Sequence, residues 1–328
     1  MPQLKALKNR LSAVISTHKL TKAMQIIAAS RFQKLKSMVF HSADYLSHFH
    51  EVIDSVIASN DSKYANLTIS ELYKGSEQIT SNIAVIVLFS AEKGLCGKFD
   101  SIVMKKLKSA YSDILQSTEV DTIRVVCFAK RVIENARRIG GEKFKNVKIE
   151  YVLHHVNVVK GFETFRDDIS NSCAKFCSDA KFLYVMYPAF ITTVLQLPCL
   201  IKLFPLVDQD KEKFKQGIFN FLDENTDRNL YDRVRKNSGI AKKVFALEPS
   251  SSIEILKMLI PSYFIALFYN TALEVYVGEN ASRMIMMDAA NRNAEKIQKN
   301  LRIQYNKHRQ AAITQELIEL ASSRSVLN

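Results

Sequence analysis

Neither glycine nor proline occurs from Gln3 to Lys74, and neither occurs again from Glu279 to Asn328. In a helix interior glycine costs about 1 kcal/mol and proline about 3 kcal/mol relative to alanine, so nothing in either stretch enforces a break. Two unusually long helices are expected, one at each end of the chain. At about 1.5 Å per residue the final run would extend roughly 75 Å, longer than a compact domain of this size is wide. Acids are missing from the start: every ionised side chain before Asp44 is basic, namely Lys5, Lys8, Arg10, Lys19, Lys22, Arg31, Lys34 and Lys36. Cysteine is scarce, with Cys96, Cys127, Cys173, Cys177 and Cys199 odd in number and without a C-x-x-C pair. That spacing argues against a zinc ribbon or dithiol redox centre and fits a reducing compartment. No segment reads as a transmembrane span, because the most apolar long stretch, Ile253 to Val277, carries Glu254, Lys257, Pro261, Asn270 and Glu274. A soluble or peripheral chain is expected. A secretory signal is absent, although the acid-free, serine-bearing start shares its composition with mitochondrial transit peptides.

What is present is a basic chain of 328 residues with 47% hydrophobic composition, enough to bury a core in one or two domains. Its 46 Lys+Arg against 33 Asp+Glu give a formal net charge of +13. Such a balance favours an acidic partner, whether nucleic acid, anionic membrane or an acidic protein surface. The acid-free run of the first helix favours an acidic partner over simple solvation. No aromatic platform, zinc spacing or helix-turn-helix pattern accompanies the charge, which weakens the nucleic-acid reading.

Seven-residue spacing aligns Leu4, Leu11, His18, Gln25, Phe32 and Val39, with Leu7, Val14, Thr21, Ala28 and Leu35 interleaved. This is a coiled-coil seam with a polar interruption. Near the other end Ala290, Ala294, Ile297, Leu301, Tyr305, His308 and Ala312 step by four and three to mark a second stripe, whose alanines permit close helix approach. The two terminal helices are expected to wind together into a rod. Between them, β-rich runs at Ile83–Ser90, Ile123–Ala129, Val147–Leu153 and Lys181–Tyr187 alternate with helical stretches such as Ile102–Leu115 and Phe162–Asp179. That rhythm predicts a mostly parallel sheet flanked by helices. Asp208 to Lys243 is a charged stretch, expected to form a helical or loop excursion.

Few constellations carry chemistry. Gly94-Leu95-Cys96-Gly97 follows the first strand and precedes a helix, where phosphate-binding loops sit, but it lacks both the dinucleotide spacing and the upstream glycine and Ser/Thr of a P-loop. A tight strand-to-helix turn is the better reading. Cys173 and Cys177 lie one helical turn apart with no further ligand nearby, so buried thiols are expected. His48 and His50 suit a solvated helix edge, and His154 and His155 point to opposite faces of a strand. No nucleophile, base and orienting acid group together.

Three separated segments are more specific. Leu7-Lys8-Asn9-Arg10-Leu11, through Lys19-Leu20-Thr21-Lys22-Ala23-Met24 to Ala28-Ala29-Ser30-Arg31, is one; Gly94-Leu95-Cys96-Gly97 is the second. The densest runs from Arg283-Met284 and Met287-Asp288 through Asn293-Ala294, Leu301 and Tyr305-Asn306-Lys307 to Arg309-Gln310-Ala311 and Ile313-Thr314-Gln315-Glu316, preceded by Glu248-Pro249-Ser250. In order and spacing these segments resemble the gamma subunit family of F-type ATP synthases. Ala91-Glu92-Lys93, Gly278-Glu279-Asn280 and Ser322-Ser323-Arg324 depart from the family pattern.

The resemblance implies an α/β fold: a long antiparallel coiled coil of N- and C-terminal helices with a central Rossmann-like, mostly parallel α/β domain. The expected divisions are a rotor helix over 1–75, the central domain over 76–247 with its excursion at 208–243, and the second rotor helix over 248–328. It implies a rotor shaft inside a ring of alpha and beta subunits, holding the epsilon subunit and standing on the c-ring, with no cofactor and no bond chemistry of its own. Residues expected to face the beta subunits are Lys19, Lys22 and Met24 on the first helix, with Arg283, Arg309, Gln310, Thr314 and Glu316 on the second. The implied location is peripheral on the cytoplasmic face of a bacterial inner membrane, or the matrix face in a mitochondrion. A structural or signalling coiled-coil protein with an α/β insert is the alternative, and a nucleic-acid-binding protein comes third.

Overall fold

A computed structural model describes residues 2–58, 82–117, 120–140, 148–153, 158, 161–177, 180–204 and 252–326. Helix α1 spans Pro2–Ala58. The middle of the chain follows as β1 (Ile83–Leu88), α2 (Phe99–Ser117), β2 (Thr122–Cys127), α3 (Lys130–Gly140), β3 (Lys148–Leu153), α4 (Phe162–Cys177), β4 (Ala180–Phe190) and β5 (Gln196–Phe204). Helix α5, Ser252–Val326, closes the described chain at 75 residues. The expected excursion at 208–243, the Glu248-Pro249-Ser250 approach, and His154 and His155 all lie outside the described residues.

The five strands form one sheet in the order β3-β2-β1-β4-β5. β1 pairs in parallel with β2, Ile83 opposite Thr122 and Leu88 opposite Cys127, and in parallel with β4 on its other side. β5 returns antiparallel along β4, with Pro188 opposite Pro198. The strands begin and end close to the sequence expectation, and three parallel pairs with one antiparallel edge match a mostly parallel sheet. The short helix α3 went unnamed in the sequence, because only Val132, Ile133 and Ala136 of its eleven residues are buried.

Alternation along β1 builds a three-layer core. Ala84, Ile86 and Leu88 face α2 and α3 together with Ile123, Val125 and Cys127. Val85, Val87 and Phe89 face the opposite way, against α5, α4 and the lower part of α1, where Phe32, Leu35, Leu46 and Ile53 are buried. The terminal helices are therefore also a layer of the central domain.

Helix α5 runs straight through two residues that oppose helices. Pro261 removes a backbone donor at a cost of about 3 kcal/mol. Its neighbours Ile260, Tyr263, Phe264, Leu267 and Phe268 are all buried, and each side chain contributes about 1.5–3 kcal/mol, so packing outweighs the break. Gly278 admits the Phe99 ring, whose Cε2 would lie 2.9 Å from an added Cβ.

Within Met258–Leu320 an 18-residue window has a mean hydropathy of 1.3, long and apolar enough to cross a membrane. In the fold 72% of that window is buried within the protein itself, so the apolarity serves the core.

Candidate functional site

Above the sheet, α1 and α5 continue together as a paired rod. Every residue of the α1 seam named from its spacing, from Leu4 to Val39, is buried or half-buried. On α5 the stripe residues Ala290, Ala294, Leu301, Tyr305 and Ala312 are buried or half-buried, Met287 and Asn291 are buried alongside them, and Ile297 and His308 are exposed.

The polar interruption on α1 meets a polar patch on α5. Thr21 donates its hydroxyl to Asn291 Oδ1 at 2.5 Å, Asn291 donates its amide to Gln25 Oε1 at 2.6 Å, and Gln25 donates to Asp288 Oδ1 at 3.1 Å. His18 Nε2 lies 3.3 Å from Glu295 Oε1. Partners run in opposite directions along the two helices, so the pairing is antiparallel. Such a layer fixes register: sliding one helix past the other by a turn would leave these groups unpaired in the seam, at about 1–3 kcal/mol each.

Below that layer the turn after β1 is clamped to α5. The backbone amides of Glu92 and Lys93 donate to the Glu279 carboxylate at 3.0 and 3.2 Å. Arg283 donates to the Gly94 carbonyl at 3.2 Å and to Asn280 Oδ1 at 3.3 Å, and it also pairs with Glu279, one helical turn away. Tyr276 donates its hydroxyl to Glu92 Oε2 at 2.7 Å. Leu95 and Gly97 both have positive φ, 65° and 62°, and an added Cβ on Gly97 would lie 2.9 Å from Met286 Sδ. Gly97 thus lets α5 approach a turn filled by this chain's own side chains, with Arg131 of α3 against Gly94, in keeping with a strand-to-helix turn. Cys96, inside the clamp, has its thiol pushed up to about 11 by burial and by the charges of Asp100 and Glu279. Segments 91–93 and 278–280 are therefore the two halves of one clamp.

Among the residues expected to meet a partner, Lys19, Lys22, Arg309, Gln310, Thr314 and Glu316 are exposed, and Met24 is 39% exposed. Thr314 donates its hydroxyl to the Gln310 carbonyl at 2.9 Å, which joins those two on one turn. Arg283 is placed differently, with its guanidinium committed to Gly94 and Glu279 and its side chain only 11% exposed. Further along α5, Ile303, Ile313, Leu317, Ile318 and Leu320 are exposed apolar residues.

Helix α5 is thus held at its base to the sheet domain and paired with α1 above it. The sequence model of the ATP synthase family matches residues 3–327. The chain belongs to the ATP synthase family, on the gamma-chain branch. It is 27% identical to the ATP synthase gamma chain of Ehrlichia canis and 28% identical to that of Jannaschia sp., in each case across the whole of both chains. Its fold is similar to a chain of the Euglena gracilis mitochondrial ATP synthase (OSCP/F1/c-ring, rotational state 3), with a TM-score of 0.56 at 12% identity over 99% of this chain and 95% of that one. It is also similar to a chain of the Tetrahymena thermophila mitochondrial ATP synthase central stalk and c-ring, with a TM-score of 0.50 at 18% identity over 83% and 99% of the two chains.

The residues that shape the paired rod are only partly legible in the sequence. Asp288 and Asn291 sit in a helical run whose seam was traced through alanines, and nothing in their identity marks them as inward. Glu274 reads as a break in an apolar stretch and Glu279 as the start of the glycine-free run, whereas both are buried. Their signal was an acid amid residues spaced to face a core.

Proposed function

We infer that the chain turns as the shaft of a proton-translocating F-type ATP synthase, carrying torque from a membrane rotor to the catalytic ring without bond chemistry of its own. The observation that carries this reading is the clamp. Glu279 and Arg283 bind the β1 turn to α5, and α5 then runs unbroken into the register-locked rod. Rotation of the sheet domain drags α5 with it, and the Thr21, Gln25, Asp288 and Asn291 layer prevents α1 from slipping.

In this reading the alpha and beta subunits surround the rod, while the epsilon subunit and the c-ring hold the sheet domain. The chain lies on the cytoplasmic face of a bacterial inner membrane, or on the matrix face in a mitochondrion. The exposure of Lys19, Lys22, Met24, Arg309, Gln310, Thr314 and Glu316 supports their meeting the beta subunits, with the cations of α1 answering acidic loops. Arg283 acts indirectly, by holding the Gly94 turn.

Reconstitution of the full chain with alpha and beta subunits tests the proposal. The expected result is ATP hydrolysis by the assembly and none by the chain alone. Hydrolysis by the isolated chain, or failure to join an alpha–beta ring, would overturn it.

A further inference from the structure

Opposite the clamp, a second acid–arginine pair holds the same turn to the sheet. Asp100, in the first turn of α2, is 8% exposed and accepts at 2.8 Å from the hydroxyl of Ser90, just past the end of β1. Its other oxygen, Oδ2, lies 3.0 Å from Nε of Arg131, which stands in the first turn of α3. The Arg131 guanidinium also rests on Gly94, where an added Cβ would come 2.4 Å from Nη1. Gly94 is therefore enclosed: Arg283 of α5 takes its carbonyl at 3.2 Å, and Arg131 of α3 fills the place of a side chain. The next residue, Leu95, keeps a φ of 65° although its side chain is 60% exposed, so its own burial does not hold a conformation that side chains disfavour. The contacts on either side of it do.

Local preference does not account for Arg131. A helix amino terminus favours acids, yet α3 opens on Lys130-Arg131 and has no acid in its first turn. Asp100 supplies that negative charge from α2, whose own amino terminus also favours it. Cys96, in the middle of the turn, lies in the field of both pairs. Beyond burial, the carboxylates of Asp100 and Glu279 push its thiol up, while Arg283 and Arg131 pull it down.

We propose that Asp100 and Arg131 are positioning residues for torque transfer: they fix the Gly94 turn to the sheet, so that Glu279 and Arg283 of α5 grip a part of the sheet domain that does not yield. Rotation of that domain then reaches α5 without loss in the turn. The torque step rests on the rotor reading. The fixing of the turn stands without it, on the contacts of Ser90, Asp100, Arg131 and Gly94 alone.

Site-resolved labelling of the full chain with iodoacetamide at pH 8 tests the fixing, with the buried Cys127 and Cys199 as gauges of the rest of the core. Charge alone makes opposite demands on the two variants. Asp100→Asn removes a carboxylate that raises the Cys96 thiol and would speed its labelling, whereas Arg131→Gln removes a cation that lowers it and would slow its labelling. Release of the turn speeds both. Arg131→Gln is therefore expected to label at Cys96 about tenfold faster or more, with Cys127 and Cys199 at their native rates. The double variant should label no faster than the faster single one, because the second change removes a partner already lost. Slower or unchanged labelling of Cys96 in Arg131→Gln, or equal rises at all three thiols, would overturn the proposal. In the assembled complex Arg131→Gln should hydrolyse ATP yet pump fewer protons per ATP than the native chain, and undiminished pumping would overturn the torque step. A native complex that assembles and does not pump would overturn the rotor reading and leave the labelling result standing.

Discussion

Asn291 and Gln25 are hydrogen-bonded across the shaft at 2.6 Å, and the same Gln25 donates onward to Asp288 at 3.1 Å. Antiparallel helices held only by Leu and Ala can shift by a turn at little cost; helices joined by a chain of amides cannot. The polar layer therefore fixes which level of α1 stands beside which level of α5.

The single variant Gln25→Leu should leave Asn291, which is 7% exposed, short of an acceptor. A loss of about 1–3 kcal/mol is expected, measured by denaturant unfolding. The double variant Gln25→Leu, Asn291→Leu should recover much of that stability but lose register, read as several disulfide cross-links between the helices in place of one. A double variant that keeps a single register would show that the layer does not set it.

The clamp gives a separate expectation. Glu279 and Arg283 are 3% and 11% exposed at their side chains, and removing one member of a buried pair costs about 3–5 kcal/mol. Glu279→Ala should unfold the neck. Arg283→Lys keeps the charge but loses the planar fork that reaches Gly94 and Asn280 together. That variant should assemble and hydrolyse ATP while pumping fewer protons per ATP in reconstituted membranes. Undiminished pumping would remove Arg283 from the torque path.

Glu274 carries a pH dependence. It lies in α5 under the sheet, bonded to the Asn270 amide at 3.1 Å, and burial pushes its carboxyl from 4.5 up to about 7. Between those values the folded chain holds a proton that the unfolded chain has lost. Its contribution to stability is thus full below about pH 4.5, falls as pH rises through about 7, and is gone above that. The change is on the order of 3 kcal/mol. Unfolding free energies at pH 5 and pH 8 should differ by less in Glu274→Gln than in the native chain, and parallel curves would refute the assignment.

Gln310 and Thr314 test the partner surface. Both are exposed, and Thr314 is already bonded to its own helix, so the double alanine variant should change stability by less than about 0.5 kcal/mol. In the assembled enzyme a lost hydrogen bond to a charged group, worth about 1.5–3 kcal/mol, would slow turnover about tenfold or more. Most of the effect should follow Gln310→Ala alone. Normal turnover would place these residues outside the contact.

Cys96, Cys127 and Cys199 are buried and free, their thiols pushed up by burial to about 11, 12 and 11. Thiolate is the reactive form, so all three should resist iodoacetamide at pH 8 until the chain is unfolded, as mass spectrometry would show. Ready labelling of the folded chain would contradict their placement.

The shaft was written into local sequence. Absence of glycine and proline permits a helix whatever surrounds it, and the spacing from Leu4 to Val39 specifies one face, so the α1 seam is found where its residues put it. The strand rhythm likewise specifies a mostly parallel sheet, because alternating strands and helices leave few other arrangements. Which residue fills the α5 seam between Ala294 and Leu301 was decided elsewhere. One residue turns a helix by about 100°, and steps of three and four through Ile297 or through Gln298 are equally good within α5 alone. Only α1, with Gln25 and Thr21 needing partners, selects Asn291 and excludes Ile297. Pro261 and Gly278 locally oppose a helix, yet α5 runs through both as the expected span over 248–328 requires, because burial around Pro261 and the Phe99 ring against Gly278 outweigh the local preference. Arg283 shows the same division. Its position in a helix is a property of the neighbouring residues, whereas its commitment to Gly94 depends on the β1 turn, 189 residues earlier, folding back against α5.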